Sequence, residues 1–318
     1  MKKLLPLIFA FAICLLPQTA FSWDDAGHKV VAYIAWENMT PEARTKAIEI
    51  LLSAPEDSGL AWLLPTDGRS FETRRREFFE IASTWSDIVR DTKSPNRRTK
   101  YHKGEWHYTN YFWKQVDGLP VEVSELKPAQ TNIVERLFFL QNAITTESTN
   151  PKDKAIYLAW ILHLVGDIHQ PLHTSARVTD IEPKGDLGAN LFYLEPKKEI
   201  PEGSREFRLN LHAYWDGILR YALKRGVEEC DGDYIEKVGA KLIKEFPQKK
   251  FANIMKQGRF DGWAQEGFTT TQKEVYPAML KRDEQPSKKY EQAVVKISER
   301  AMALAGYRLA QMLNEILK

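Results

Sequence analysis

Apolar residues recur every three or four positions along most of this chain, which is the spacing typical of amphipathic helices. The first clear case runs from Ala26 to Asn38, where Val30, Val31, Ile34 and Ala35 fall on one face. Thr40 followed by Pro41 marks the start of a second helix, which we expect to extend to about Leu52. The same periodicity predicts helices over Glu72 to Arg90, Gln130 to Thr145, Lys154 to His169, Leu211 to Lys224 and Ser298 to Leu317.

Only a small part of the chain has the pattern of extended structure. The segments Trp106 to Phe112 and Asn190 to Leu194 are candidates for a small β-hairpin, and Thr92 to Lys103 is predicted to be a basic loop. No internal repeat or low-complexity break divides the chain. The pattern therefore predicts a mainly α, single-domain, multi-helix fold with a small β-hairpin.

The first residues have the pattern of a secretory signal peptide. Lys2 and Lys3 precede an apolar run from Leu4 to Leu16 that is too short to span a bilayer. Small residues at Ala20 and Ser22 favour cleavage after Ser22. We therefore expect a signal peptide at 1–22, a mature domain at 23–318 that begins with Trp23, and a secreted or periplasmic protein with no membrane span.

Charge and cysteine content limit how this protein could bind a partner. The formal net charge is +2, and loss of the two lysines in the signal peptide brings it to zero. A globally basic surface is therefore excluded, and attraction of a polyanion must be local. Cys14 leaves with the signal, so Cys230 alone cannot form an intramolecular disulfide. No obligate protein partner is evident.

The strongest chemical motif is the run from His163 to His173, HLVGDIHQPLH. His163 and Asp167 are four residues apart in an apolar helix and so lie on one face. A buried carboxylate and imidazole need compensation, which a metal ion or an ordinary hydrogen-bonded pair can provide. This motif alone leaves both alternatives open.

A second histidine and aspartate with the same spacing favour the metal. His212 and Asp216 repeat it on another predicted helix, and imidazole with carboxylate is a preferred ligand set of zinc. Pro171 ends the preceding helix, so His173 can turn toward a neighbouring ion as a third ligand.

The remaining candidates are individually weaker. Asp87 could be a surface carboxylate, and His107 a satisfied strand histidine. Cleavage before Trp23 would create a free α-amine, which together with the carbonyl of that residue could chelate an ion with His28 close by. The alternative is that Trp23 is a buried aromatic and His28 a surface residue.

Together, these motifs resemble the three-zinc single-strand nucleases of the S-one and P-one type. The resemblance rests on motifs that occur in family order: Trp23 with His28, Trp85 with Asp87, His107, His163-Asp167-His173, Asn210-Leu-His212 with Asp216, and Ala305 to Ala310. It covers nearly the whole mature chain. It implies one zinc bound by Asp87, His107, His163 and Asp167, a second by Trp23, His28 and Asp167, and a third by His173, His212 and Asp216.

The resemblance also implies a function. Such an enzyme hydrolyses single-stranded RNA and DNA to 5′-phosphate products and also removes 3′ phosphates from nucleotides. Asp87, Arg90 and Asp167 would be catalytic, with Arg90 stabilising the phosphate in the transition state. Tyr108, Asn110 and Asn190 would contact the substrate.

The chain departs from the family pattern in three respects. Asn110 stands where the family has an aspartate, which leaves the preferred base open, because an amide both donates and accepts. Ala189 replaces one of a pair of glycines, and the disulfides are missing. His102 and His169 match no ligand position.

Two alternative functions remain at this stage. A zinc phospholipase C has the same fold type and also uses an N-terminal tryptophan, but it spaces its first histidine more widely and ends its last motif in glutamate. A non-catalytic periplasmic zinc-binding protein could use the same ligands. Arg90 and Tyr108 beside those ligands favour a catalyst.

Overall fold

The computed structural model describes residues 23–200, 206–226, 229–256 and 259–318. The predicted signal peptide lies outside these residues. Among the described residues, no helix is both long enough and apolar enough to cross a bilayer.

The described part of the chain is mainly helical, which confirms the predicted fold class. Its α-helices are α1 Asp25–Asn38, α2 Pro41–Leu52, α3 Phe71–Ala82, α4 Trp85–Ile88, α5 Pro95–Tyr101, α6 Ile133–Thr145, α7 Pro151–Asp167, α8 Leu211–Asp216, α9 Ile218–Ala222, α10 Asp231–Glu245, α11 Phe260–Thr270 and α12 Lys288–Ile316. Short 3-10 helices cover Glu56–Ser58, Ala61–Leu63, Gly104–His107, Pro171–Thr174, Gln248–Phe251 and Ile254–Lys256, and a π-helical turn covers Thr271–Val275.

Helices α1, α7 and α12 form the centre of the molecule. Every residue of α1 from Gly27 to Trp36 is buried, which is typical of a helix surrounded by others. Asp24 caps its first turn by accepting a hydrogen bond from the Gly27 amide. Helix α7 begins after the Asn150 cap with a proline in its first turn, and its C-terminal half is fully buried. Three of the metal-ligand candidates, His28, His163 and Asp167, therefore lie on buried helices at the centre of the fold.

A three-stranded sheet lies at one side of the helices. Its strands are β1 Tyr111–Val116, β2 Leu119–Glu122 and β3 Ser175–Arg177, in the order β2-β1-β3. Strands β1 and β2 form an antiparallel hairpin around Asp117 and Gly118, both with positive φ. Strand β3 pairs with β1 in parallel and begins two residues after His173.

Two predicted helices are interrupted in the structure. The helix predicted over Glu72 to Arg90 ends at Ala82 and resumes at Trp85. At this break the hydroxyls of Ser83 and Thr84 donate to the carbonyls of Glu80 and Ile81, which competes with regular helix geometry.

The helix predicted over Leu211 to Lys224 is likewise divided, at Gly217, into α8 and α9. The last helix is longer than predicted and begins at Lys288, capped by Ser287.

The predictions for extended and loop segments were partly wrong. The hairpin lies at β1 and β2 and does not involve Asn190 to Leu194, where only a single bridge joins Tyr193 to Asn210. The first candidate strand starts only at Tyr111, because the residues up to His107 form a 3-10 turn. The predicted basic loop contains helix α5, which Pro95 begins at its first position.

Candidate metal centre

Helix α7 positions the two side chains at the middle of the site. His163 and Asp167 are fully buried and lie on one face, with His163 Nε2 3.1 Å from Asp167 Oδ2. The other ring nitrogen of His163 donates to the carbonyl of Ser83 at 2.8 Å, in the break between α3 and α4. That break therefore orients a candidate ligand.

Two further elements bring side chains to the same point. His107, at the end of the 3-10 turn, has Nδ1 3.0 Å from Asp167 Oδ2 and 3.0 Å from His163 Nε2. Helix α4 presents Asp87, whose Oδ1 lies 3.7 Å from His163 Nε2. These four residues, predicted from separate motifs, are adjacent in the fold.

Helix α1 adds His28, which lies beside the other carboxylate oxygen of Asp167. Its Nε2 lies 3.3 Å from Asp167 Oδ1, so the two carboxylate oxygens face different imidazoles. The indole of Trp23 is fully buried and donates to the carbonyl of Gly166 at 3.0 Å. A Cβ at Gly166 would lie 2.7 Å from His28 Nδ1, so a glycine is needed for this approach.

A second cluster lies beside the first. His212 Nε2 is 3.3 Å from Asp216 Oδ2 on α8, and His173 Nε2 is 3.8 Å from Asp216 Oδ1. His173 Nδ1 donates to the His107 carbonyl at 2.7 Å, and His212 Nδ1 donates to the Gly188 carbonyl at 2.6 Å. Gly188 has a φ of +62°, and a Cβ there would lie 2.5 Å from the Leu172 carbonyl.

The hydrogen bonds fix the tautomers that metal binding requires. His163, His173 and His212 each donate Nδ1–H to a backbone carbonyl, so each Nε2 keeps its lone pair. Ligating histidines generally have such a partner on the second nitrogen. In the described residues, no hydrogen bond reaches His173 Nε2 or Asp167 Oδ1. A buried polar atom without a hydrogen bond is free to bind a cation, and each of these two atoms belongs to one of the ligand groups.

The shifted pKa values of several of these side chains also favour a bound cation. Burial lowers the pKa of His28, and it lowers the pKa of His107 to about 4, so both imidazoles are neutral and able to bind a metal. Burial raises the pKa of Asp216 well above its ordinary value. A bound cation would offset that cost by stabilising the carboxylate.

Three groups of side chains have ligand atoms within 4.8 Å of one another in the described residues. They are His28 with Asp87 and His163, His107 with His163 and Asp167, and His173 with His212 and Asp216. Every predicted histidine and aspartate ligand is therefore in a group that could hold a metal ion. His28 groups with Asp87 and His163, in addition to its contact with Asp167.

Comparison with known proteins assigns this arrangement to a family. The family model for S1/P1 nuclease matches residues 23–318. The chain belongs to the S1/P1 nuclease family. It is 24% identical to Nuclease S1 of Aspergillus oryzae over 341 residues, which cover 99% of this chain and 98% of the relative. It is 23% identical to Nuclease P1 of Penicillium citrinum, over 92% of this chain and 97% of the relative. S1/P1 membership indicates a nuclease, a hydrolase of phosphodiester bonds.

The residues that the S1/P1 resemblance implied for catalysis or substrate contact differ in their exposure and in their partners. Arg90 forms an ion pair with Asp87 and is partly exposed. Tyr108 and Asn110 are partly buried and directly follow His107. Asn190 is buried, and its amide donates to the Leu187 carbonyl within its own loop.

Sequence analysis missed residues that support the ligands in this S1/P1 site. Gln170 is fully buried, and its Nε2 donates to Asp216 Oδ1 at 2.7 Å. The Asp24 amide donates to the Asp216 carbonyl at 3.0 Å, and the Asp24 carboxylate pairs with Arg220 at 2.6 Å. The position of Gln170 inside the His163 to His173 motif, between Asp167 and His173, was the only available signal.

Proposed function

We propose that this protein is a secreted, zinc-dependent endonuclease. It hydrolyses single-stranded RNA and DNA to 5′-phosphate products, has 3′-nucleotidase activity, and uses three zinc ions. The observation that carries this proposal is the position of Asp167, whose two oxygens lie 3.0 to 3.3 Å from the nitrogens of three imidazoles. One carboxylate between separate ligand groups is suited to bridging a pair of ions.

The ligand sets follow the family arrangement. One ion would be held by Asp87, His107, His163 and Asp167, a second by Trp23, His28 and Asp167, and a third by His173, His212 and Asp216. The bound zinc ions supply an acidic water and electrostatic stabilisation of phosphate oxygens. Backbone carbonyls of this protein accept hydrogen bonds from Nδ1 of His163, His173 and His212 and so orient the Nε2 lone pairs that would bind the ions.

Other side chains are placed to act on the substrate. The guanidinium of Arg90 is held beside Asp87 and can donate to phosphate oxygens as they gain charge. The ring of Tyr108 can stack on a base, an interaction that tolerates any sequence. Asn110 can donate and accept at a base edge. The segment 1–22 would direct export and be removed from the exported protein.

The nuclease function is favoured over the two alternatives. The S1/P1 match over the whole mature chain, residues 23–318, supports hydrolysis of nucleic acid over hydrolysis of phospholipid. The pairing of Arg90 with a candidate ligand supports catalysis over storage of zinc, because storage does not need a phosphate-binding cation.

The test uses purified protein that begins at Trp23. It is incubated with single- and double-stranded RNA and DNA, with a 3′-nucleotide and with a phosphatidylcholine emulsion, before and after chelation and zinc addition. We expect chelator-sensitive cleavage of the single strands, products with 5′ phosphates, and about three zinc ions per chain by metal analysis. Zinc-loaded protein that cleaves no nucleic acid would support storage, and selective cleavage of phospholipid would support a phospholipase.

A further inference from the structure

The strongest feature that the proposed function leaves unused is the basic segment after Arg90. The sequence from 91 to 103 contains five lysines and arginines and a single carboxylate, although the mature chain has no net charge. The structure folds this segment around helix α5. A concentrated local charge on a neutral protein is the kind of surface that attracts a polyanion.

This segment is directly beside the metal centre. The ring of His102, at the C-terminal end of α5, lies 6.5 Å from the ring of the candidate ligand His107. Burial lowers the pKa of His102, and the positive charges of Arg90 and Arg98 lower it further. The basic segment therefore begins beside the candidate metal centre.

Most of these cations have no carboxylate partner. Lys100 pairs with Asp57 at 2.6 Å. In the described residues, no carboxylate forms an ion pair with Lys93, Arg97, Arg98 or Lys103, and Arg97 instead donates to the carbonyl of Asp57 at 3.1 Å. Their charges are available to an anionic ligand.

An exposed aromatic ring lies at the far end of α5. Trp62 is 65% exposed, whereas most tryptophans of the described chain are buried, and the Arg97 guanidinium lies 5.7 Å from its ring. Single-stranded nucleic acids are bound by such combinations, in which cations contact phosphates and aromatic faces stack on bases. Past Trp62, the groove that it lines also contains Glu56 and Asp153, and this negative charge limits the positive surface.

The chain segment just before Trp62 is connected to helix α4, which carries Asp87, through specific contacts. The indole of Trp85, two residues before Asp87, donates to the Ser58 carbonyl at 3.0 Å and packs edge-on against Tyr101. The Tyr101 hydroxyl donates to Asp57 at 2.7 Å. The 3-10 turn Glu56–Ser58, which precedes the turn of Trp62 in the chain, is therefore held to helices α4 and α5.

We infer that Lys93, Arg97, Arg98, Lys103 and Trp62 form a basic track that binds the phosphodiester backbone and one base of a single strand several nucleotides away from the bond that is cleaved. The track rests on the proposed function and specifies it further: it makes long single strands better substrates than dinucleotides. The ligand chemistry is shared by RNA and DNA.

The first test compares hydrolysis of a single strand of about 20 nucleotides, longer than typical binding sites, with hydrolysis of a dinucleotide. The track variants are Trp62→Ala and the double variant Lys93→Gln with Arg98→Gln. The matched controls are Phe71→Ala, equally exposed at 65% with Arg75 5.3 Å from its ring, and Lys288→Gln with Lys289→Gln. Phe71 is at the opposite end of α3 from the metal centre.

For each track variant, we expect the ratio of kcat/KM on the long strand to kcat/KM on the dinucleotide to fall about tenfold. In the double variant, the slope of log KM against log salt for the long strand should decrease by about 0.7 for each lost phosphate contact. The controls should keep the native ratio and slope. Equal losses on both substrates, or an unchanged ratio, would overturn the track.

A second measurement needs no variant. For the unaltered zinc-loaded protein, KM for the long strand should depend more steeply on salt than KM for the dinucleotide, and equal slopes would contradict the track. If neither substrate is hydrolysed, the proposed function fails. Fluorescence anisotropy of the labelled long strand, with the same variants and controls, then tests the track alone.

Discussion

The imidazole of His28 stacks on that of His163, with ring centroids 3.9 Å apart and an angle of 16° between the planes. Stacking at this distance brings two metal-ligand candidates from α1 and α7 into contact. It depends on Gly166, because any larger side chain there would meet the His28 ring. Gly166 has no side chain and so no metal-binding group, but its small size is required for the position of the His28 ring.

Gly166→Ala is expected to displace His28 and lower the zinc content and the activity together. The added methyl would lie 2.7 Å from His28 Nδ1, closer than van der Waals contact allows. Metal analysis and hydrolysis of a single-stranded substrate measure the effect. The control is Gly262→Ala in α11, where a Cβ meets nothing within 4 Å and where alanine should increase stability by about 1 kcal/mol. Full zinc content in Gly166→Ala would contradict the argument.

Gln170→Ala is expected to weaken zinc binding at the group of His173, His212 and Asp216. The variant removes the donor that orients Asp216, and loss of such a partner typically costs about 10- to 100-fold in metal affinity. Competition with a chelator measures the affinity. Exposed Gln311→Ala serves as the control, and an unchanged titration in Gln170→Ala would show that Asp216 needs no orientation.

Arg90→Ala is expected to lower kcat about 100-fold with little change in KM, because its hydrogen bond should strengthen as the phosphate gains charge. Hydrolysis kinetics on a dinucleotide measure both constants. Zinc content must be measured in parallel, because Arg90 also pairs with Asp87. A loss of zinc would assign Arg90 a supporting role, and a raised KM with native kcat would show that it only holds the substrate.

Protein with one extra glycine before Trp23 is expected to contain less zinc and to lose its activity, relative to protein that begins at Trp23. The extension converts the α-amine into an amide, which has no basic lone pair for a metal. The fold should be retained, since the indole of Trp23 is anchored to Gly166 independently of the amine. Equal zinc content and activity in the two preparations would leave Trp23 as a buried aromatic only.

Stability should decrease with increasing pH because of Glu80 on α3. Burial raises its pKa from 4.5 to about 8, and this effect outweighs the attraction of Arg76. The folded protein keeps the proton that the unfolded chain releases above its lower pKa. The contribution of Glu80 to the free energy of unfolding therefore falls as pH rises from about 4.5 to about 8, by at most about 1.4 kcal/mol per unit.

Glu80→Gln removes this titration, so its stability relative to the native protein should increase between about pH 5 and about pH 9. Urea unfolding at the two pH values measures the difference. Glu49→Gln, at an exposed position on α2, should show no comparable trend. A constant difference between native protein and Glu80→Gln would indicate that Glu80 is ionised throughout.

Much of the candidate site could be predicted from the sequence, since helical spacing alone places His163 with Asp167 and His212 with Asp216. The position of one pair relative to the other could not be predicted from spacing, because it depends on how α7 and α8 pack. The break after Ala82 was missed for a related reason. The hydroxyls of Ser83 and Thr84 override a helical pattern only when the freed Ser83 carbonyl gains a partner, and that partner is His163.

The role of Gln170 was missed because a buried amide has no periodic pattern that separates it from a surface residue. The Asn190 to Leu194 segment looked extended because of its apolar residues. In the structure it belongs to a loop in which Leu187, Gly188 and Ala189 all have positive φ. Backbone conformations of this kind depend on tertiary contacts, here the hydrogen bond from His212 to Gly188.

The packing of α1 against α12 has a consequence for the order in which the protein folds. Ile34 lies so close to Gly306 that a Cβ at Gly306 would be only 2.6 Å from its side chain. Chains are synthesised from the N-terminus, so α1 remains without this partner until almost the whole sequence has been made. Contacts between such distant segments form slowly. His28 therefore reaches its final position late, and a ribosome-bound or truncated chain that lacks α12 is expected to have no assembled metal centre.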